Sequence, residues 1–170
     1  MSWNDYVYAY LVNNTDPNNQ KTATNVCEHA AIIGNNDGTV WASTPGFTFE
    51  SYTLTIENDD GTTTKTNINE FANLLSAFNS PTGNCSNAGG IRIHNEKYFT
   101  VSKDNDRKVL YLKKSGGGAC VAKSNLAFAI GTYSSKLKEK NYAGTETPQN
   151  PGDCNRACES LQEFLITNSL

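Results

Sequence analysis

Apolar residues recur with helical spacing at both ends of this chain. At the start they occur at i, i+3, i+4, i+7 and i+8, and they are Trp3, Tyr6, Val7, Tyr10 and Leu11. Near the end the same period appears at Ala157, Cys158, Leu161, Phe164 and Leu165. Each stripe predicts one apolar face of an amphipathic helix. Because terminal helices fray unless they are packed, we expect the two helices to share one core and to contact each other.

A third helix is predicted near the middle of the chain. Residue pairs typical of helix starts precede all three helices, and they are Ser2 with Asp5, Asn67 with Glu70, and Asn150 with Pro151. Ser80-Pro81 ends the middle helix. Its apolar side is expected to consist of Ile68, Phe71, Ala72, Leu75 and Phe78.

Short segments with turn residues between them predict two hairpins. Residues 29–34 and 39–43 flank Asn-Asn-Asp-Gly, which is a hairpin signal. Residues 52–58 and 62–66 flank Asp60-Gly61 and predict a second hairpin. On its first strand Tyr52, Leu54 and Ile56 alternate with polar residues, which predicts one apolar face.

Five further apolar segments are joined by short polar turns, so they are expected to pair as antiparallel strands. They span residues 90–94, 97–103, 109–114, 119–123 and 126–133. The polar segments 13–24 and 136–148 are expected to be surface loops. The fold class is therefore α+β: a central antiparallel sheet with the N- and C-terminal helices packed together on one face, the further helix on the other, and an extra β-hairpin.

Composition narrows the function. The chain has 170 residues and a formal net charge of −3, which predicts one domain over residues 1–170 and no strongly basic face for nucleic acid. No apolar run approaches the roughly 20 residues of a membrane-spanning helix, and no secretory h-region follows Met1, so a cytosolic protein is expected. The five cysteines lack a zinc spacing, which favours reduced, buried thiols and no metal.

Catalysis is not expected. Cys27, Glu28 and His29 bring a thiol, a carboxylate and an imidazole together in sequence, but no third orienting group can be assigned to them. The glycines at 116–118 lie between two predicted strands rather than before a helix, so they form a hairpin turn and no phosphate cradle. The sequence therefore predicts no cofactor.

Several blocks of this chain resemble profilin, in the family's order. They are SW-x-x-Y at the start, AAIIG and VWA within 30–42, GIRIHNEKYFTV at 90–101, KKSGGG at 113–118, and CN followed by FLI in the last helix. The resemblance covers nearly the whole chain. It implies a protein that binds monomeric actin and, on a separate face, proline-rich segments of actin-assembly factors such as formins. The extra hairpin 52–66 is similar to one in apicomplexan profilins, which implies an alveolate or other protist type of member.

The resemblance also implies which residues bind proline-rich segments, namely Trp3, Tyr6, Trp41 and Phe164. A polyproline II helix is rigid and presents ring faces and unpaired carbonyls, to which aromatic side chains can stack and donate. From spacing alone, packing is the better explanation for Phe164 and an equal one for Trp3. The resemblance favours binding at Trp3, Tyr6 and Trp41, whereas Phe164, often tyrosine in the family, can stack but cannot donate.

Matching positions imply an actin-binding surface made of Lys97, Lys113, Lys114, Asn155 and Arg156. Without the resemblance, surface lysines would be explained as solvated side chains. Two departures border this surface. His94-Asn95-Glu96 stands before Lys97 where many relatives have glycines, which places positive φ angles on non-glycine residues. The loop 136–150 is longer than usual, and it is expected to shift or cover Asn155 and Arg156.

Two other interpretations were weighed. A peptide- or ligand-binding sensory module of similar architecture would usually enclose an apolar cavity, but the small side chains of the predicted strands indicate a filled core. Phosphoinositide binding, known in the profilin family, is expected to be weak because the chain has no cluster of four or more basic residues.

Overall fold

The fold was obtained as a computed structural model that describes residues 1–170. It contains three helices and thirteen strands. The helical segments are α1 (Trp3–Tyr6), continued by a π-helical turn (Val7–Val12), α2 (Glu70–Asn79) and α3 (Pro151–Thr167). The strands are β1 (Asn14–Thr15), β2 (Thr22–Ala23), β3 (His29–Gly34), β4 (Val40–Ser43), β5 (Ser51–Glu57), β6 (Thr63–Asn69), β7 (Ile91–Ile93), β8 (Glu96–Asp104), β9 (Val109–Lys114), β10 (Gly117–Lys123), β11 (Ala127–Ser134), β12 (Lys138–Lys140) and β13 (Glu146–Pro148).

Seven of these strands form one antiparallel sheet in the order β4-β3-β11-β10-β9-β8-β7. Successive residues of its central strands enter different cores, because side chains alternate between the faces of a sheet. On β11, Ala127 and Ala129 lie under the terminal helices, whereas Phe128 and Ile130 lie on the opposite side with α2. The predicted arrangement, with the terminal helices on one face and the middle helix on the other, is confirmed.

The core beneath the terminal helices contains four cysteines, and the sulfur atoms of Cys27, Cys154 and Cys158 lie against Gly131. A Cβ on Gly131 would come within 2.8 Å of the Cys27 Sγ and 2.9 Å of the Cys158 Sγ, so only glycine fits. All five cysteines of the chain are free thiols. Cys27, Cys120, Cys154 and Cys158 are buried and act as small packing residues, as the sequence predicted.

The first helix differs from the expected regular helix. Only Trp3–Tyr6 is α-helical, and the following turn closes with i→i+5 hydrogen bonds such as Asn13 N to Tyr8 O at 3.1 Å. The capping box is confirmed, since the Ser2 hydroxyl accepts from the Asp5 N and the Asp5 carboxylate accepts from the Ser2 N. Of the predicted stripe, Val7 and Leu11 are buried, and the three aromatic residues remain half-buried.

The middle helix begins two residues later than predicted. The side chain of Asn69, not that of Asn67, accepts from the Ala72 N at 3.0 Å. Ile68 belongs to β6, because β6 stays paired with β5 as far as Asn69. The later start rotates the buried face, which consists of Glu70, Asn73, Leu74, Ala77 and Phe78.

The expected surface loops both contain hairpins. Within 13–24, β1 pairs with β2. Within 136–148, β12 pairs with β13, and this hairpin carries the buried Glu139 and is followed by the buried Gln149. The polar character of this segment had suggested that it is exposed. The two side chains are nevertheless buried, and they form hydrogen bonds with other segments of the chain.

The extra hairpin β5–β6 forms a sheet of its own. Tyr52, Leu54 and Ile56 are half-buried and alternate with exposed residues, which confirms the predicted alternation. Its base is attached to the domain, where the buried Ile68 lies against Gly89. The surface depressions of the whole molecule are open to solvent, so no enclosed cavity supports a ligand-binding sensory module.

Candidate functional site

Aromatic side chains from α1, its π-helical extension, β4 and α3 form one continuous surface cluster. Trp3 lies 4.9 Å from Trp41 and 5.8 Å from Tyr6, measured between ring centroids. Tyr6 lies 5.0 Å from Phe164. The four residues that the resemblance implied are therefore in one place. We call this set, with Tyr10 added below, the aromatic groove.

Tyr10 is a fifth member that the predicted site did not include. Its ring lies 5.1 Å from Phe164 and 6.4 Å from Tyr6. The signal was present in the sequence, because Tyr6 and Tyr10 are four residues apart on the same apolar stripe. Tyr8, by contrast, is exposed and stacks on none of these rings.

Local packing fixes the orientation of the groove. A Cβ on Gly34 would come within 3.1 Å of the Trp41 Nε1, so the absent side chain of Gly34 leaves room for the Trp41 indole. Phe164 projects from α3 beside the buried Leu161 and Leu165, which anchor that helix in the core. Every ring of the groove is half-buried, so its inner edge is packed and its outer face is open.

The polar atoms of the groove have no hydrogen-bond partner within the protein. No other group of the protein hydrogen-bonds to the hydroxyls of Tyr6 and Tyr10 or to the indole nitrogens of Trp3 and Trp41. Partial burial, together with the neighbouring Tyr6, raises the pKa of Tyr10, which keeps that hydroxyl protonated at neutral pH. Half-buried hydroxyls and indoles without a partner can donate to carbonyl groups that lie on the ring surface.

A second exposed surface lies on the neighbouring strands β8 and β9. Lys97 and Lys113 are exposed, and Lys113 pairs with Phe99 across the two strands. The ammonium group of Lys97 lies 5.3 Å from the ring centroid of Phe99. Lys114 differs, because its side chain is largely buried over Tyr98 and forms an ion pair with Glu96. Lys97 and Lys113 therefore share one face of the sheet, whereas Lys114 lies on the opposite face with its charge paired.

Two apolar residues of this surface were missed. Phe99 and Val101 are 57% and 60% exposed, and Phe99 lies on the same face of β8 as Lys97. Alternation along β8 was the available signal for Phe99, since Tyr98 between it and Lys97 is buried. We call Lys97, Phe99, Val101 and Lys113 the β8–β9 surface.

Asn155 and Arg156 are placed differently from the lysines. Both lie near the start of α3, and the guanidinium of Arg156 sits 4.7 Å from the ring centroid of Tyr142 in the β12–β13 turn. Arg156 also lines a depression with Asp16 and Glu163, which none of the three lysines borders. The expectation that the 136–150 segment affects this region fits the geometry, because Tyr142 contacts the guanidinium of Arg156, which nevertheless stays exposed.

The turn between β7 and β8 has the strained geometry that its sequence predicted. The φ angles of His94 and Asn95 are +52° and +58°. His94 Nδ1 accepts from the Thr48 N at 3.0 Å, and its ring lies 4.1 Å from that of His29. Burial and the neighbouring His94 lower the pKa of His29. His29 is thus engaged at the surface, whereas the Cys27 thiol faces Cys154 in the core, so the two do not converge on one site.

Comparison with known proteins identifies the family. A family model described as profilin matches residues 1–170. A profilin of Tetrahymena pyriformis is 43% identical over 146 residues, which cover 85% of this chain and 90% of that protein. Profilin-3 of Dictyostelium discoideum is 29% identical over 136 residues, which cover 80% of this chain and 82% of the relative. The chain belongs to the profilin family.

Solved structures confirm the fold. Acanthamoeba castellanii profilin II matches with a TM-score of 0.63 at 24% identity, over 99% of this chain and all of that one. Mouse profilin IIa, in complex with a double repeat from the FH1 domain of mDia1, matches with a TM-score of 0.50 at 16% identity, over 85% of this chain and 90% of the other. None of the helices here has both the length and the apolar character needed to cross a membrane.

Proposed function

We propose that this profilin binds monomeric actin and proline-rich segments at two separate surfaces, and thereby regulates filament assembly in the cytoplasm. The whole chain acts as one domain in this proposal. The observation that supports it best is the aromatic groove. Its five rings are half-buried, and four of them carry a hydroxyl or an indole N–H without a hydrogen-bond partner in the protein. Formin-type assembly factors are the expected proline-rich partners, in line with the FH1 segment bound to mouse profilin IIa.

The groove suits a polyproline II helix. Such a helix has its conformation fixed before binding, so little entropy is lost when it docks. Its proline rings can stack on Trp3 and Trp41, whose ring planes are inclined by 47° and leave a shallow depression between them. Its unpaired carbonyls can accept from the tyrosine hydroxyls farther along the groove. Phe164 contributes a stacking surface only.

The β8–β9 surface is the proposed centre of the actin interface. Phe99 and Val101 are exposed apolar side chains that a bound partner would bury. The ammonium groups of Lys97 and Lys113 would attract an acidic partner. Lys114 packs on Tyr98 on the other face of the sheet. Asn155 and Arg156 remain predicted actin contacts, but they lie apart from this surface near the start of α3. Phosphoinositide binding, if measured on anionic vesicles, should be weak because these cations are few.

One experiment tests the assignment of both activities. Trp3→Ala should weaken retention on immobilised polyproline by about 30-fold, because a hot-spot aromatic contributes on the order of 2 kcal/mol. Tyr8→Ala, a change on the same helix outside the groove, is the matched control and should be retained normally. Titration of fluorescent monomeric actin should give the same affinity for both variants and the unaltered protein. Normal retention of a folded Trp3→Ala protein, or no actin binding by the unaltered protein, would contradict the proposal.

A further inference from the structure

The strands of the β12–β13 hairpin are held on the domain by polar contacts. The Asn25 side chain donates to the Lys138 O at 2.7 Å, and Thr24 and Lys140 exchange backbone hydrogen bonds. The Tyr142 hydroxyl donates to Asn14 Oδ1 at 2.6 Å. The ring of Tyr142 also packs on the core, so apolar contact at the turn and polar contacts along the strands together hold the hairpin in place.

Glu139 is the most buried of these groups, with 1% of its surface exposed. Its Oε1 accepts from the Asn150 side chain at 2.6 Å, but its Oε2 is buried without a hydrogen-bond partner. Thr147, which pairs with Glu139 across the hairpin, has a buried hydroxyl that also lacks a partner. No lysine or arginine forms an ion pair with Glu139. A buried carboxylate without a cation is costly, and protonation removes that cost.

The second carboxyl group at this site is that of Asp153 in the first turn of α3. Asn150 Nδ2 lies 3.3 Å from Asp153 Oδ2, so one amide bridges both carboxyl groups. Burial raises the pKa of Glu139 to about 8, and the neighbouring Asp153 contributes to the shift. Ionisation of Glu139 would place a second negative charge on the amide that already bridges it to Asp153.

We propose that Glu139, joined to Asp153 through the side chain of Asn150, is a pH-sensitive latch that holds the β12–β13 hairpin on the start of α3. Above the titration of Glu139, its buried negative charge has no cation and repels the half-buried Asp153, and the hairpin loosens. The other titratable groups around Glu139 are Cys27 and Cys154 in the core and Tyr142 in the turn. Lys138 and Lys140 flank it on the hairpin, and both are exposed.

Release of the latch would change the surface at the start of α3. Arg156 stacks on Tyr142, so its guanidinium is constrained only while the hairpin is docked. A group whose pKa is higher in the folded state binds a proton preferentially in that state. The docked hairpin therefore loses stability as the pH rises from the pKa of a glutamate in the unfolded chain towards 8. The latch thus operates close to neutral pH.

Amide NMR spectra of the unaltered protein between pH 6 and 10 test the latch. Signals of residues 138–147 should shift together with a midpoint near pH 8. Glu139→Gln, which keeps the shape of the protonated side chain, should abolish this transition. Glu146→Gln, a change at an exposed position of the same hairpin, should leave it in place. Asp153→Asn provides a second probe, because removal of the neighbouring charge should lower the midpoint. A transition that persists in Glu139→Gln, or its absence from the unaltered protein, would overturn the proposal.

Discussion

The hydroxyl of Tyr52 donates to the buried carboxylate of Glu70 at a distance of 2.6 Å. The same hydroxyl accepts from Arg92 Nε at 2.9 Å, and Glu70 also accepts from the Asn95 N at 2.8 Å. One buried carboxylate therefore joins the base of the extra hairpin, the start of α2 and the strained β7–β8 turn. Burial raises the pKa of Glu70, and the hydrogen bonds partly oppose this shift. The hairpin is thus attached to the turn that precedes Lys97.

Tyr52→Phe should destabilise the protein by about 1–3 kcal/mol, because it removes a donor from a buried carboxylate. Urea unfolding followed by circular dichroism measures the effect. Tyr8→Phe is the matched control, since the Tyr8 hydroxyl has no partner in the protein, and it should change stability by no more than about 0.5 kcal/mol. Equal stabilities of the two variants would show that the network contributes nothing to folding.

Phe164→Tyr should bind polyproline as well as the unaltered protein or more tightly. The added hydroxyl would lie beside the rings of Tyr6 and Tyr10, whose centroids are 5.0 and 5.1 Å from that of Phe164. One further donor to a ligand carbonyl is worth about 1 kcal/mol at most. Calorimetric titration with a proline-rich peptide measures the change, and a marked loss of affinity would exclude Phe164 from the groove.

Charge reversal at Lys97 and Lys113 should weaken actin binding and flatten its dependence on salt, while polyproline retention stays unchanged. Both ammonium groups are exposed, so their attraction acts at long range and is screened by ions. Lys21→Glu, at an exposed position in the β1–β2 turn, controls for net charge. Reversal at Lys114 is less informative, because its ion pair with Glu96 would be lost as well. Loss of both activities in a folded double variant would contradict two separate surfaces.

Excision of the extra hairpin should leave a folded protein that still binds polyproline. The structure sets the cut, because Tyr52 and Ile68 belong to the buried base and must remain. Thr53 pairs with Asn67, so an Asn-Gly turn in place of residues 54–66 closes the shortened strands. Actin affinity should change measurably, since the base is connected to the turn before Lys97. Unaltered actin affinity would show that the hairpin has no part in that interface.

Stability should fall as pH decreases below about 6.5 because of His29. Its pKa is lowered in the folded protein by burial, by His94 and by Lys114, while Glu28 and Glu96 oppose the shift. The unfolded chain then binds more protons in this range, so acidification favours unfolding. Urea unfolding at pH 7.5 and 5.5 should show a smaller difference for His29→Gln than for the unaltered protein. Equal differences would remove His29 as the cause.

Much of the fold was predictable because its signals are local. The first and last helices begin at capping residues, Ser2 and Asn150. Each of these side chains accepts a hydrogen bond from the backbone amide three residues later. The hairpins follow from turn residues between apolar segments. The sequence blocks that resemble profilin then predicted four of the five residues of the aromatic groove.

The errors arose where distant contacts decided between local alternatives. Asn67 and Asn69 are equally able to cap a helix, and pairing of Asn69 with Ser51 settled the choice. The 136–148 segment is polar throughout, and nothing local distinguishes an exposed loop from a hairpin with Glu139 buried beneath it. Arg156 was grouped with the lysines because their positions matched the family, but Tyr142 in the lengthened segment holds its side chain elsewhere.

The aromatic groove is built from the first and the last helix of the chain, and this has a consequence for protein synthesis. Trp3 leaves the ribosome long before Phe164 is added, by roughly 10 to 30 s at 5–20 residues per second. Until α3 has emerged, Tyr6 and Tyr10 lack the ring of Phe164, although Trp3 can already contact Tyr6 and Trp41. The aromatic groove is therefore completed only when translation has passed through α3.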